Sequence, residues 1–195
     1  MQSLRFLMLL TPMVFAGEFW NDRKAADWTA AEKEHFLQHS PWAKTVSAGV
    51  DVTRSAVKQT VYGPSGGNPG KMPGMRAVIR WESAAPVREA LGKPLPEGAE
   101  GHLVVSVTMT GSLSVPETRD EQLRATSLQA KGRVPVNPEL LLHDAKTGTI
   151  YFLFPERGTA LASDKEWVFE TALGGMALKA RFVAHEMKYL GKPGI

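Results

Sequence analysis

The sequence predicts a mainly β fold, namely an antiparallel β-sandwich or partly open barrel of about eight strands with an N-terminal helix and one short helix. Three observations support this prediction. Apolar and polar residues alternate over several short segments, as they do on half-buried strands. Two pairs of such segments are joined by turn sequences. A capping box starts the N-terminal helix. An α+β fold is the alternative.

The N-terminal helix is predicted to begin after Thr29 and to run to about Ser40. In Thr29-Ala30-Ala31-Glu32, the threonine hydroxyl can accept a hydrogen bond from the Glu32 amide, while the glutamate carboxylate accepts one from the Thr29 amide. Pro41 is expected to stop the helix. Its apolar side is small, so we expect it to lie on a core that other elements form.

Alternation with a period of two predicts strands over residues 44–52, 75–81 and 103–109. The polar residues of these segments, among them Ser106, are expected to face outward. Residues 63–74, between the first two strands, are rich in glycine and proline and are predicted to form a loop.

Two short helical segments are predicted between the strands. Residues 84–91 carry Pro86 in the first turn, where proline is tolerated, and end before Gly92. Residues 120–124 favour a further helical turn, and residues 126–131 an extended segment.

The C-terminal third contains two predicted hairpins. Segments 140–144 and 149–154 flank a four-residue turn that ends in glycine. In the second hairpin, a tight turn centred on Gly174-Gly175 places apolar residues opposite one another on one side and Glu170 opposite Lys179 on the other. Two independent patterns therefore predict the same register.

The first sixteen residues have the layout of a signal peptide. Arg5 precedes an apolar run from Phe6 to Phe15, and cleavage is expected after Ala16. The run is about half as long as a bilayer-spanning helix, so no permanent membrane span is expected. Residues 17–195 are then predicted to form a single globular domain in the periplasm or outside the cell.

Composition narrows the possible functions. The sequence has no cysteine, which excludes disulfides, thiolate metal ligands and a cysteine nucleophile. Basic and acidic residues are nearly balanced and alternate in sign along most of the chain, so nucleic acid is not an expected partner. No cofactor and no catalytic residue is predicted. The Gly-x-Ser-x-Gly string at residues 63–67 lacks the preceding strand and following helix of a nucleophile elbow.

Glu32, His35 and His39 form the candidate metal site. Their spacing of i, i+3 and i+7 places them on one stripe of the N-terminal helix. Two imidazoles and a carboxylate could coordinate zinc or iron and leave a position open for water. A solvated helix face is the alternative interpretation.

Trp20, Trp28 and Trp42 form the candidate interaction site. Flat aromatic faces suit sugar rings, so these three residues could make an exposed platform. Core packing is the alternative, as we expect for Trp81 and Trp167, which lie on the apolar faces of their strands.

Several segments resemble a family of exported bacterial proteins that has no assigned activity. The resembling segments are Phe19-Trp20 with Trp28, Ser40-Pro41-Trp42-Ala43-Lys44, Arg80-Trp81-Glu82-Ser83-Ala84 with Pro86-Val87-Arg88-Glu89-Ala90-Leu91, Phe152-Leu153-Phe154-Pro155, and Met187-Lys188-Tyr189-Leu190-Gly191-Lys192. The resemblance implies export and a single domain, and it assigns no site residue.

These observations favour an exported domain that binds an envelope protein or a glycan without catalysis. The alternative is a metal-dependent hydrolase or metalloprotein that uses Glu32, His35 and His39. A structural subunit of an envelope assembly, with the aromatic N-terminus as its contact, is a third hypothesis.

Overall fold

The computed structural model describes residues 18–47, the backbone of residues 49–50, and residues 76–110, 117–156, 160 and 163–195. Within these residues the strand pairs are antiparallel. They form a five-stranded sheet, a four-stranded sheet and a two-stranded ribbon, which confirms the predicted mainly β class. The expected signal peptide, residues 1–16, and the glycine-rich loop, residues 63–74, lie outside the described residues.

The five-stranded sheet, sheet A, has the order β1-β3-β4-β7-β6. Its strands are β1 (Ala43–Ser47), β3 (Arg76–Trp81), β4 (His102–Met109), β6 (Leu140–Asp144) and β7 (Thr149–Pro155).

The four-stranded sheet, sheet B, has the order β2-β9-β8-β5. Its strands are β2 (Gly49–Val50), β5 (Ser127–Ala130), β8 (Glu166–Leu173) and β9 (Met176–Val183). The C-terminal ribbon pairs β10 (Lys188–Tyr189) with β11 (Lys192–Pro193).

One shared core joins the inner faces of the two sheets. At its centre the rings of Trp81 and Trp167 meet edge to face, with centroids 5.1 Å apart, and Phe182 lies 5.3 Å from Trp81. The expectation that both tryptophans are core residues is confirmed. In the described part, no helix has the length and apolarity needed to cross a membrane.

The three α-helices of the described part are α1 (Ala30–Phe36), α2 (Ala85–Leu91) and α3 (Arg119–Arg124). Thr29 and Glu32 form the predicted capping box. The predicted end of α1 at Ser40 is wrong, because the helix stops at Phe36. The chain then turns so that Ser40 and Ala43 exchange backbone hydrogen bonds, which leads it into β1.

Both predicted hairpins are confirmed. In the second, Trp167 faces Phe182 and Leu173 faces Met176, while Glu170 faces Lys179 with 2.6 Å between the carboxylate and the ammonium. In the first, β6 and β7 flank a turn whose Gly148 has a φ of 65°. Glycine suits this position because other residues are strained at positive φ.

The predicted single strand over residues 44–52 is wrong. The chain pairs with sheet A up to Ser47 and with sheet B from Gly49, so two strands of different sheets replace one. The alternation continues across this passage, which is why periodicity alone does not detect the change of sheet.

Candidate functional site

The outer face of sheet A, turned away from the shared core, carries a row of polar side chains. The strand register places Arg80 of β3 beside Ser106 of β4, and Ser106 beside Tyr151 of β7. Ser106 was expected to face outward on the polar side of its strand. It does lie on the outer face, but it has no solvent exposure, and Tyr151 has only 6%.

A cover over this face explains the burial. After α2 the chain crosses the outer side of sheet A over residues 92–101 and returns into β4. Within this cover Leu95 and Ala99 pack against Val104 and Leu153 in a small apolar cluster separate from the main core. Strand β4 is therefore buried on both faces, whereas the sequence predicted a half-buried strand.

Glu82 is the most unusual residue of this face, because its carboxylate is ionisable and only 2% of the residue is exposed. Its Oε1 atom accepts three hydrogen bonds: Arg80 donates from Nε at 2.9 Å and from Nη2 at 2.6 Å, and the Ser106 hydroxyl donates at 2.7 Å. Arg80 also donates from Nη1 to the Leu37 carbonyl. In the described chain, Glu82 Oε2 accepts no hydrogen bond.

Glu82 and Tyr151 line a groove of about 320 Å³ between the cover and sheet A, which we call the outer groove. Charged side chains from three segments also line it: Arg88 of α2, Lys93 of the cover and Asp144 of β6. The remaining wall is largely apolar and includes Leu91, Leu95 and Leu142.

Electrostatics fix the protonation of two groups in the outer groove. Burial raises the pKa of Tyr151, and the charges of Glu82 and Asp144 raise it further against a smaller opposing effect of Arg80. Hydrogen bonds from the Thr147 hydroxyl and the Lys146 amide lower the pKa of Asp144. At neutral pH the groove therefore holds a neutral phenol, which can donate or accept, beside an ionised carboxylate.

This arrangement suits binding better than covalent chemistry. Ser106 is the hydroxyl that contacts the Glu82 carboxylate, but it is inaccessible and donates its proton to an oxygen that Arg80 already occupies. A nucleophile needs an adjacent base free to take its proton and a path to the substrate. The polar side chains that line the groove, among them Glu82, Arg88 and Tyr151, are instead hydrogen-bonding groups set in a largely apolar wall.

The structure does not assemble the candidate metal site. Glu32 is bonded to the amide of Thr29 and paired with Arg23, and the rings of His35 and His39 stack with centroids 5.5 Å apart. In the segments that the structure describes, no three histidine or carboxylate side chains converge as metal ligands.

The three N-terminal tryptophans do not form an exposed platform. Trp20, Trp28 and Trp42 are 7%, 4% and 0% exposed, and they pack around Phe36 in an aromatic cluster. The C-terminal tail seals this cluster, because the Trp42 indole donates to the Gly194 carbonyl at 2.8 Å. Their exposure was the condition for the sugar-stacking hypothesis, and that condition is not met.

A larger hollow of about 640 Å³ lies beside Trp167 at the end of sheet B. Its most buried carboxylate, Asp164, is paired with Arg133 at 3.1 Å. The outer groove is the stronger candidate because one oxygen of its buried carboxylate, Glu82, has no donor within the described segments.

Comparison with known proteins adds no assignment: no family model, curated protein or solved structure matches the chain.

No functional role is predicted from the sequence for Glu82, Tyr151 or Asp144, and Ser106 is predicted only to face outward. A usable signal was present in β4, where Val104 interrupts the polar side of the strand with an apolar residue. An apolar residue on a supposedly solvated face indicates that something covers it.

Proposed function

We propose that the chain is an exported domain of the cell envelope that binds a small polar molecule in the outer groove and does not catalyse a reaction. The observation that carries this proposal is Glu82, a buried carboxylate that lines the groove, with one oxygen fully bonded and the other without a donor among the described residues.

The energetics of buried charge support a binding role. Removing a carboxylate from water costs several kcal/mol, and replacing a buried ion pair by apolar residues is often neutral or stabilising by about 1–4 kcal/mol. The Arg80–Glu82 pair is therefore not expected to be present for stability alone. A ligand that donates to Glu82 Oε2 would supply the missing hydrogen bond, and binding that ligand would then be the function of the pair.

The groove itself is tested by filling it. Leu95→Trp places a bulky ring at the groove wall, and Val134→Trp is the matched control, because Val134 is 82% exposed and does not line the groove. Both variants and the parent chain are screened by saturation-transfer NMR against a panel of monosaccharides, sugar acids, amino sugars and amino acids. We expect at least one compound to bind the parent and Val134→Trp, and to bind Leu95→Trp at least tenfold more weakly.

The proposal fails if no compound of the panel binds. It also fails if binding to Leu95→Trp equals binding to the parent while urea unfolding shows that both are folded.

Export is the second part of the proposal, and residues 1–16 support it because they have the charge, length and cleavage pattern of a signal peptide. Mass spectrometry of the chain from the envelope fraction is expected to find Gly17 as the first residue. Cytosolic chain that retains Met1–Ala16 would contradict it.

A further inference from the structure

The free acceptor in the outer groove is Glu82 Oε2, and Arg80 already balances the negative charge of this carboxylate. The Arg80 guanidinium lies within 2.9 Å of Glu82 Oε1, so a cation bound at Oε2 would be held close to a like charge. A neutral donor avoids this repulsion and still fills the vacant lone pairs. The geometry therefore favours a hydroxyl over an ammonium at this position.

The mouth of the groove has two cations, Lys93 and Arg88, and Lys93 makes no ion pair with any described residue. Its charge makes only the smallest of the contributions that lower the Asp144 pKa. Arg88 is exposed, lines the groove and makes no ion pair with any residue of the described part. Its planar guanidinium suits a carboxylate, which it can bind through two parallel hydrogen bonds.

The size and walls of the groove limit the rest of the ligand. A volume of about 320 Å³ is at the lower end of small-molecule sites, which suits one sugar ring. Leu91, Leu95 and Leu142 offer apolar surface to the C–H face of such a ring, and the Tyr151 hydroxyl adds a second hydrogen-bonding group with no partner in the described chain.

We infer that the outer groove binds a sugar acid of monosaccharide size, a hydroxylated ring that carries one carboxylate. One ring hydroxyl donates to Glu82 Oε2, a second group meets the Tyr151 hydroxyl, and the carboxylate binds Arg88. This inference rests on the proposed binding function and specifies its ligand class.

The test compares three probes that share one ring: glucuronic acid, glucose and glucosamine. Titration calorimetry with the full chain is expected to show binding of glucuronic acid, at least tenfold weaker binding of glucose, and no binding of glucosamine. Galacturonic acid is included so that the position of one hydroxyl does not decide the outcome.

Variants assign the contacts. Arg88→Gln is expected to reduce the affinity for the sugar acid about tenfold, to the level of glucose, while the exposed Arg119→Gln on α3 changes nothing. Tyr151→Phe loses a hydroxyl with no partner in the described chain, so it should keep its fold and lose affinity a few-fold for both the acid and glucose. Glu82→Gln should weaken both by about tenfold. Because this variant could destabilise the chain, the conclusion depends on Arg88→Gln and Tyr151→Phe.

The outcomes separate the two proposals. Tighter binding of glucosamine than of either acid, or equal binding of the acid to Arg88→Gln and the parent, overturns the inference and leaves the binding function standing. The same holds if only other compounds of the panel bind in the groove. If no compound binds there, the proposed function fails and the inference fails with it.

Discussion

The two outer faces of this sandwich carry similar sequence patterns and have different environments. On sheet B, Glu170 and Lys179 pair in the open, with side chains 52% and 66% exposed. On sheet A, Arg80 and Glu82 pair with side chains only 14% and 3% exposed. The difference is the cover of residues 92–101, which lies on one face. Whether a charged pair is a solvated surface feature or part of a site thus depends on what lies over it.

This difference has an energetic consequence. Exposed ion pairs contribute about 0–1 kcal/mol, because solvent screens them and ordering two long side chains costs entropy. A covered pair costs more to desolvate and more to break. The two faces should therefore respond differently to matched substitutions.

Removal of apolar contacts under the cover should have the largest effect. Leu153 on the outer face of sheet A has no exposure, so Leu153→Ala is expected to lower the free energy of unfolding by about 3 kcal/mol. Val168 occupies the outer face of sheet B and is half-buried, so Val168→Ala should cost about 1 kcal/mol or less. Urea unfolding measures both. Equal losses would show that the cover does not bury the face of sheet A in solution.

The ion pair under the cover should give the next largest effect. Arg80→Met leaves Glu82 buried without its cation and is expected to lower the free energy of unfolding by about 2 kcal/mol. This loss is somewhat smaller than is usual for a fully buried pair, because Arg80 is partly exposed. The double variant Arg80→Met with Glu82→Leu should return to within about 1 kcal/mol of the parent, since no charge remains unpaired.

The same double variant separates stability from function. We expect it to fold and to lose ligand binding in the outer groove, as measured by the titrations proposed above. A double variant that is as unstable as Arg80→Met alone would indicate that the pair is retained for structure.

Tyr151 provides a test through pH. Its pKa is raised above the ordinary value of 10.0, so the folded chain keeps the phenol proton over a range in which the unfolded chain has lost it. This contribution is present below pH 10 and is lost as pH rises through the folded pKa.

Tyr151→Phe should match the parent within about 0.5 kcal/mol at pH 7, because no described residue forms a hydrogen bond with its hydroxyl. Above pH 10 the parent should lose stability faster than the variant, as measured by urea unfolding at pH 7, 10 and 11. Tyr189, whose pKa is raised to about 12, remains in both chains and is the internal control. Parallel pH profiles would contradict the burial of Tyr151.

The sequence predicted those parts of the fold that depend on contacts between segments adjacent in sequence. The hairpin of β8 and β9 followed from its turn, its apolar side and the Glu170–Lys179 pair. The outer groove could not be predicted in this way, because Leu95 and Ala99 belong to a segment without periodicity and contact sheet A only through tertiary packing. The sequence left the burial of the N-terminal tryptophans open for a related reason: the tail that covers them, around Gly194, lies more than 150 residues away from Trp42.

The smallest expected effect is on the open face. Glu170→Gln removes the carboxylate charge opposite Lys179 but keeps the shape and the strand, so we expect a loss of about 0.5 kcal/mol or less that shrinks further in 0.5 M salt. Double-mutant analysis with Lys179→Met isolates the pair from the effect of each side chain alone. A coupling above about 1.5 kcal/mol, as large as that of a desolvated pair, would mean that the outer face of sheet B is also covered in solution. The distinction between a solvated face and a binding face would then no longer hold.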